Sequence, residues 1–322
     1  MKVLFTGEAG QLATHISRLL QGHRLFEVLS ASAWKTNPSK HHPWPELDVT
    51  NFAMLDEAIN CLRPDAVIHV AAVVNTDKCA SDPKNSIDVN LLGTHNILKA
   101  CDRYGAKLMF FSTTATYDPG TTRPFYEDSK QKPPTLYGIT KYAGELLVTG
   151  QNKVPWVVIR PCFVYGDPPL DHSSQLCRVA VHQVLKWDNH PETGTTPVVT
   201  LDPLSLKDYM RVENFADAIL SILLIRPSPF MSRTFNISDQ HARPMGEYFS
   251  ELEAALRIGK LDMKWDPTSD YMGNHVVDSG YLRQVTGWEP RLDWKEGVKR
   301  TAESALKYVR DVRDGKIPLL YK

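Results

Sequence analysis

Short apolar runs alternate with longer stretches in which apolar residues recur every three or four positions, and the alternation starts at the first residues. Val3-Leu4-Phe5 reads as a buried strand; it leads into Gly7-Glu8-Ala9-Gly10-Gln11-Leu12-Ala13 and then a helical pattern through Leu20. Further strands are expected over 26–30, 66–70, 107–111 and 156–159, and helices over 52–62 and 86–104 and around Tyr137. Short apolar strands that alternate with helices predict an α/β fold with a doubly wound parallel sheet. In such a sheet ligands lie beyond the carboxyl ends of the strands.

Beyond Gly166 the alternation breaks into Pro-rich loops, an amphipathic helix near 175–186 and a long polar connection to Val198. The stretch 208–224 reads as a turn plus helix and 233–237 as one more strand, both returning to the first domain. Helices near 245–256 and 294–312 complete a smaller C-terminal lobe. The expected division is a larger, dinucleotide-binding domain of 1–165 with 208–237, interleaved with a substrate-binding lobe of 166–207 and 238–322.

Length and charge narrow the partners. A chain of 322 residues supplies one large domain or two coupled ones, and 37 Lys and Arg balance 37 Asp and Glu. No global field then attracts nucleic acid or an anionic membrane, and any anion must be gripped by local groups. Cys61, Cys79, Cys101, Cys162 and Cys177 are widely spaced without a Cys-x-x-Cys. That pattern fits reduced thiols in a cytoplasmic protein rather than a zinc site. The opening apolar run is too short for a signal peptide, and no later segment approaches a membrane span. His41-His42 sits in a Pro-rich loop without a third ligand, so no metal is expected.

Two local patterns carry chemistry. Gly7-x-x-Gly10-x-x-Ala13 lies between a strand and a helix. Glycines there allow a tight turn and close approach of a pyrophosphate to the helix N-terminus, and Ala13 keeps helix and sheet close. Gly7, Gly10, Gln11 and Leu12 are therefore cofactor candidates. The second strand does not end on the carboxylate that usually binds the ribose of NAD. Ser32 falls at that place, with Lys35 shortly after. A hydroxyl and an ammonium tolerate a 2′-phosphate better, which favours NADP over NAD. The second pattern, Tyr137-Gly138-Ile139-Thr140-Lys141, puts a phenol and an ammonium four apart on one helical face. A positive charge beside a phenol favours the phenolate, and lowering its pKa from near 10 to about 7 requires roughly 4 kcal/mol. Such a tyrosine can exchange a proton with a sugar hydroxyl.

Several ordered motifs together resemble the extended short-chain dehydrogenase/reductase family. They are Gly7-x-x-Gly10-x-x-Ala13, Leu47-Asp48-Val49, His69-Val70-Ala71-Ala72, Val89-Asn90-x-x-Gly93-Thr94, Ser112-Thr113, Tyr137-x-x-x-Lys141, Ile159-Arg160-Pro161 and Asp208-Tyr209-x-Arg211-Val212. The resemblance implies a Rossmann sheet in which Thr113 hydrogen-bonds the reacting oxygen, Tyr137 is the general acid or base, and Lys141 holds the nicotinamide ribose. It also implies cofactor contacts from Asp48, Val49, Ala71, Ala72 and Asn90. On the substrate side it implies Asn75, Thr113, Phe163, and a diphosphate held by Lys207, Arg211 or Arg243. Gly10-Gln11-Leu12, Asp77-Lys78 and the 112–141 stretch resemble dTDP-4-dehydrorhamnose reductases, whereas 208–218 and Gly287-Trp288-x-Pro290 look like nucleotide-sugar 4-epimerases. A dehydratase would carry an acidic pair after the threonine; Thr114 and Ala115 stand there, so dehydration ranks last. The chain departs from the family at Cys162-Phe163, where many relatives place asparagine, at Lys207, where arginine is usual, and at 270–275, which lacks an arginine often found there. The expectation is an NADP- or NAD-dependent enzyme that reduces a 4-keto nucleotide sugar. The alternatives are a 4-epimerase with tightly bound NAD and a non-catalytic dinucleotide-binding regulatory subunit. By family analogy a homodimer is expected.

Overall fold

A computed structural model of the protein describes residues 1–7, 9–31, 47–168, 174–190, 195–270 and 272–320. Five strands come first along the chain: β1 (Lys2–Thr6), β2 (Glu27–Ala31), β3 (Ala66–His69), β4 (Lys107–Phe111) and β5 (Trp156–Pro161). Short strands follow, β6 (Phe163–Tyr165), β7 (Val198–Val199), β8 (Leu206–Lys207) and β9 (Tyr209–Arg211), then β10 (Arg233–Ile237), β11 (Arg243–Pro244) and β12 (Lys264–Trp265). The helices are α1 (Gln11–Gln21), α2 (Phe52–Leu62), α3 (Thr76–Ser81), α4 (Pro83–Ile87), α5 (Gly93–Tyr104), α6 (Leu136–Thr149), α7 (Gln175–Trp187), α8 (Val212–Leu223), α9 (Met245–Leu256), α10 (Gly280–Thr286) and α11 (Trp294–Arg313).

Six strands form the central sheet in the order β2-β1-β3-β4-β5-β10, every neighbouring pair parallel. The period of two along each strand sorts its side chains into two cores. Val3, Phe5, Ile68, Met109 and Val157 face α1 and α8, while Leu4, Val67, Leu108, Phe110 and Val158 face α2 and α5. The chain leaves β1 toward one edge and later returns past it to β3, so the crevice at the carboxyl ends of β1 and β3 is the switch point of the sheet. A third core gathers α7, α9 and α11 around Tyr165, Tyr209 and Tyr248. The small ladders β6 with β9 and β8 with β11 connect this lobe to the sheet ends.

Helices 52–62 and 245–256 and strands 107–111 and 233–237 have the bounds that periodicity predicts. The helix expected over 86–104 does not run unbroken. Pro83 opens α4 behind Asp82, whose carboxylate accepts from the Asn85 amide at 3.1 Å, and a π-helical turn over Asp88–Leu92 separates α4 from α5. The break brings Asn90 inward, and Gly93 lies against Val49, where a Cβ would come within 2.7 Å of the valine methyl.

Candidate active site

β4 hands over to Ser112 and Thr113, and one turn of 3-10 helix follows over Thr114–Thr116. Thr113 caps that turn, its hydroxyl accepting from the Ala115 amide at 3.2 Å. α6 starts behind Thr135, whose hydroxyl accepts from the Gly138 amide at 3.2 Å. A Cβ on Gly138 would come within 2.7 Å of the Ala115 carbonyl oxygen, so the missing side chain lets the first turn of α6 lie against the turn after β4. This packing brings the Tyr137 phenol beside the Thr113 side chain, which pulls on its proton. Lys141 lies one turn along the same face, 2% exposed, its ammonium 4.4 Å from the centre of the Phe110 ring.

The electrostatics correct one expectation. Burial pushes the Tyr137 phenol up to about 12, against an opposing pull from the Thr113 hydrogen bond. Burial also brings Lys141 down to about 7, with Glu145 acting in the other direction. Lys141 therefore does not draw Tyr137 toward the phenolate. Burial is the largest influence on the phenol, Lys141 exerts no pull on it, and it stays protonated at neutral pH.

On the cofactor side, Gly7 has φ +73°, and a Cβ there would come within 2.6 Å of the Ala71 Cα. The turn after β1 thus packs directly on the end of β3. Gly10 is the N-cap of α1, with neither a side-chain cap nor an acidic residue in the first turn. The positive end of the helix, opened by a residue without a side chain, suits a pyrophosphate. Gln11 is buried against Gly166, where a Cβ would meet its amide nitrogen at 2.2 Å, and Leu12 packs on the core. Ala71 and Ala72 are half-buried at the end of β3. Asp48 is exposed and accepts from the Thr50 amide and hydroxyl, both at 2.8 Å, while Val49 is buried and its carbonyl is held by Asn96 at 3.0 Å. Ser32, Lys35 and His41-His42 lie outside the described residues.

Asn90 departs from the expected cofactor contact. Its oxygen accepts from the Val73 amide at 2.7 Å, and its nitrogen donates to the Val73 carbonyl and the Thr140 hydroxyl, both at 3.0 Å. The side chain is 1% exposed and ties the loop after β3 to α6. Asn75 is exposed and caps α3, accepting from the Lys78 amide at 2.9 Å.

The expected diphosphate cations separate. Lys207 is fully buried; its ammonium donates to Asp270 at 2.8 Å and to the Gly273 carbonyl, and burial lowers its pKa against the pull of Asp270. Arg211 is 1% exposed and paired with Asp167 and Glu213, both at 2.6 Å, and it also donates to Thr301 at 2.7 Å. Neither offers an open donor to a diphosphate. Burying a charge demands a partner, and here the protein supplies it. Arg243 differs in being partly exposed: it stacks 4.5 Å from the Trp294 ring centre and lies 3.8 Å from Glu247, in a cleft of about 660 Å³ that Lys295 also lines. Phe163 is half-buried, edge-on to His275 with ring centres 5.3 Å apart.

Two groups near the catalytic face escaped the sequence reading. His275, 1% exposed, donates from Nε2 to the Thr114 hydroxyl at 2.8 Å, because that hydroxyl spends its own proton on the Pro161 carbonyl at 3.0 Å. Burial keeps this imidazole neutral, with a pKa of about 3. The other is Glu145, four residues beyond Lys141 and 3% exposed. Its spacing from Tyr137 and Lys141 was the available signal.

The sequence profile of the RmlD substrate binding domain matches residues 1–186, more than half of the chain. The chain belongs to the extended short-chain dehydrogenase/reductase family. A putative UDP-glucose 4-epimerase of Methanocaldococcus jannaschii is 25% identical over 311 residues, covering 92% of this chain and 96% of that protein. The UDP-glucose 4-epimerase of Thermus thermophilus, solved in complex with NAD, is 26% identical with a TM-score of 0.78, covering 95% of this chain and 99% of that one. RMD from Pseudomonas aeruginosa, solved with NADPH, shares the fold at a TM-score of 0.79 and 21% identity, with 95% and 99% coverage. The family assignment agrees with the resemblance read from the motifs.

Proposed function

We propose that the protein is an NAD(P)-dependent enzyme that reduces a carbonyl at C4 of a nucleotide sugar. The observation that carries this reading is the packing of α6 against the turn after β4, which sets the Tyr137 phenol, held in its acid form, beside Thr113. A phenol held in its acid form donates a proton, which is what a ketone oxygen needs as its carbon becomes an alcohol. Thr113 holds that oxygen while Tyr137 supplies the proton, and Lys141 binds the ribose beside them. A nicotinamide dinucleotide, when bound, supplies the hydride. Gly7, Gly10, Gln11 and Leu12 would hold its pyrophosphate, with Asp48 and Val49 toward the adenine and Ala71 and Ala72 beneath it. Ser32 and Lys35 are proposed for the ribose end.

On the substrate side Asn75 and Phe163 border the sugar, and Arg243 holds the diphosphate in place of Lys207 and Arg211. The interleaved division, 1–165 with 208–237 against 166–207 with 238–322, gives the two lobes between which the sugar nucleotide lies. Ile139, Leu146 and Leu147 leave apolar surface on α6, which supports a homodimer through that helix.

A second reading, 4-epimerisation, is supported by full-length relatives named UDP-glucose 4-epimerase. The same residues would serve, with Tyr137 alternating between base and acid. A cofactor balance separates the two. A reductase consumes one equivalent of NAD(P)H per 4-keto nucleotide sugar, whereas an epimerase interconverts UDP-glucose and UDP-galactose with none added. Failure of both assays overturns the proposal.

A further inference from the structure

α6 carries a third buried polar residue on the face of the catalytic pair. Tyr137, Lys141 and Glu145 follow at intervals of four and point at the ends of β4 and β5. Both carboxylate oxygens of Glu145 are engaged. Oε2 accepts from Arg160 Nε at 3.1 Å and from the Ser112 hydroxyl at 2.7 Å, and Oε1 accepts from Arg160 Nη2 and from Gln131 at 3.3 Å. Arg160, on β5, continues the network through Nη1 to the Tyr117 hydroxyl at 2.8 Å and the Glu127 carbonyl at 2.7 Å. Tyr117 in turn donates to Asn236 on β10 at 2.6 Å. The Arg160 and Glu145 side chains are each 4% exposed.

We propose that Glu145 is a positioning residue for catalysis: bound to Arg160 and Ser112, it fixes α6, which carries Tyr137 and Lys141, against the strand that presents Thr113. The inference rests on the functional reading in one respect, that Tyr137 and Lys141 face the reacting oxygen. Ser112 adjoins Thr113, so one carboxylate sets the distance between the two hydroxyl-bearing elements. A bidentate Arg–carboxylate bond has the planar geometry to hold that register. The charge of Glu145 also reaches Lys141, and the groups around that lysine make this specific. They are the Phe110 ring on β4, His69 on β3 and Glu145 itself. His69 is neutral, its pKa lowered to about 3 by burial and by Lys141. Among the described residues Glu145 is the anion that acts on Lys141.

The test is Glu145→Gln, which keeps the shape and removes the charge, followed by carbon-13 NMR titration of Lys141 Cε with Lys141→Arg identifying the resonance. The expected midpoint lies about one pH unit or more below that of the parent protein. On a 4-keto nucleotide sugar, kcat at pH 8 should fall about tenfold or more with KM within about twofold, the split expected when a group acts mainly in the transition state. Glu145→Asp, which keeps the charge on a shorter arm, should leave the midpoint close to the parent's while kcat still falls. It also serves if the glutamine variant does not fold. An unmoved midpoint in Glu145→Gln, or a midpoint that moves equally in Glu145→Asp, overturns the inference. A moved midpoint in a protein inactive on every 4-keto nucleotide sugar and on UDP-glucose overturns the functional reading and leaves the positioning role intact.

Discussion

Two sets of buried charged residues behave differently. At the sheet ends Lys141 is buried without a direct carboxylate bond; its ammonium lies over Phe110, and burial brings its pKa to about 7. On the short strands β8 and β9, Lys207 is equally buried but donates to Asp270 at 2.8 Å and to the Gly273 carbonyl, and Arg211 is held by two carboxylates. The first lysine's amine is not tied into the fold by an ion pair among the described residues. The second lysine and the arginine have spent their charges on the fold. A cation in a motif is therefore a ligand group only where the surrounding chain has not already neutralised it.

The largest expected effect tests the closed side. Asp270→Ala leaves the Lys207 ammonium buried without its carboxylate and should cost about 3–5 kcal/mol in urea unfolding, the scale of breaking a buried pair. Lys207→Met combined with Asp270→Met should recover most of that loss. If Asp270→Ala leaves stability within about 0.5 kcal/mol, the pair is not closed and Lys207 returns as a candidate for the substrate.

Gly7→Ala probes the open side. It places a Cβ within 2.6 Å of the Ala71 backbone at a φ of +73°, and strain of this kind costs about 1–3 kcal/mol. NAD(P)H affinity, read by fluorescence titration, should fall as well. A variant as stable and as tight-binding as the parent would show that the glycine turn is not needed there.

Arg243→Ala sharpens the contrast between fully buried and partly exposed cations. KM for a nucleotide sugar should rise about tenfold, the scale of one charged hydrogen bond, with stability changed by less than about 1 kcal/mol. An unchanged KM removes Arg243 from the diphosphate site.

A separate effect is a pH dependence at Asp239, just beyond β10. Burial pushes the Asp239 carboxyl from 3.8 up to about 7, against its hydrogen bond from Asn214. The folded state then holds a proton that the unfolded chain has lost, so this group's contribution to stability declines as pH rises from 3.8 to about 7. Asp239→Asn removes the decline. Its stability relative to the parent should improve across that window in denaturant titrations, and a constant difference would contradict the assignment.

What was legible in the sequence was local. Strand 107–111 is a continuous apolar run and helix 52–62 carries an unbroken helical period, so each could be bounded from its own residues. Thr113, Tyr137 and Lys141 were found because a strand end and one helical turn place them. The π-helical turn over Asp88–Leu92 was missed because it answers to Val73 and Thr140, distant partners of Asn90. Lys207 and Arg211 were read as ligand groups for the same reason: Asp270 lies 63 residues from Lys207, and Thr301 lies 90 residues from Arg211. The phenolate expected at Tyr137 failed because a one-turn spacing shows the cation but not the burial that opposes it.

The central claim is that Tyr137 is the proton donor beside Thr113 and Lys141, and the rate of carbonyl reduction by Tyr137→Phe tests it most directly. The account predicts that kcat falls by about 10²–10⁴ while NAD(P)H affinity stays within about twofold, because the phenyl ring keeps the packing and loses only the transferable proton. A Tyr137→Phe enzyme that retains kcat within about twofold of the parent would contradict it.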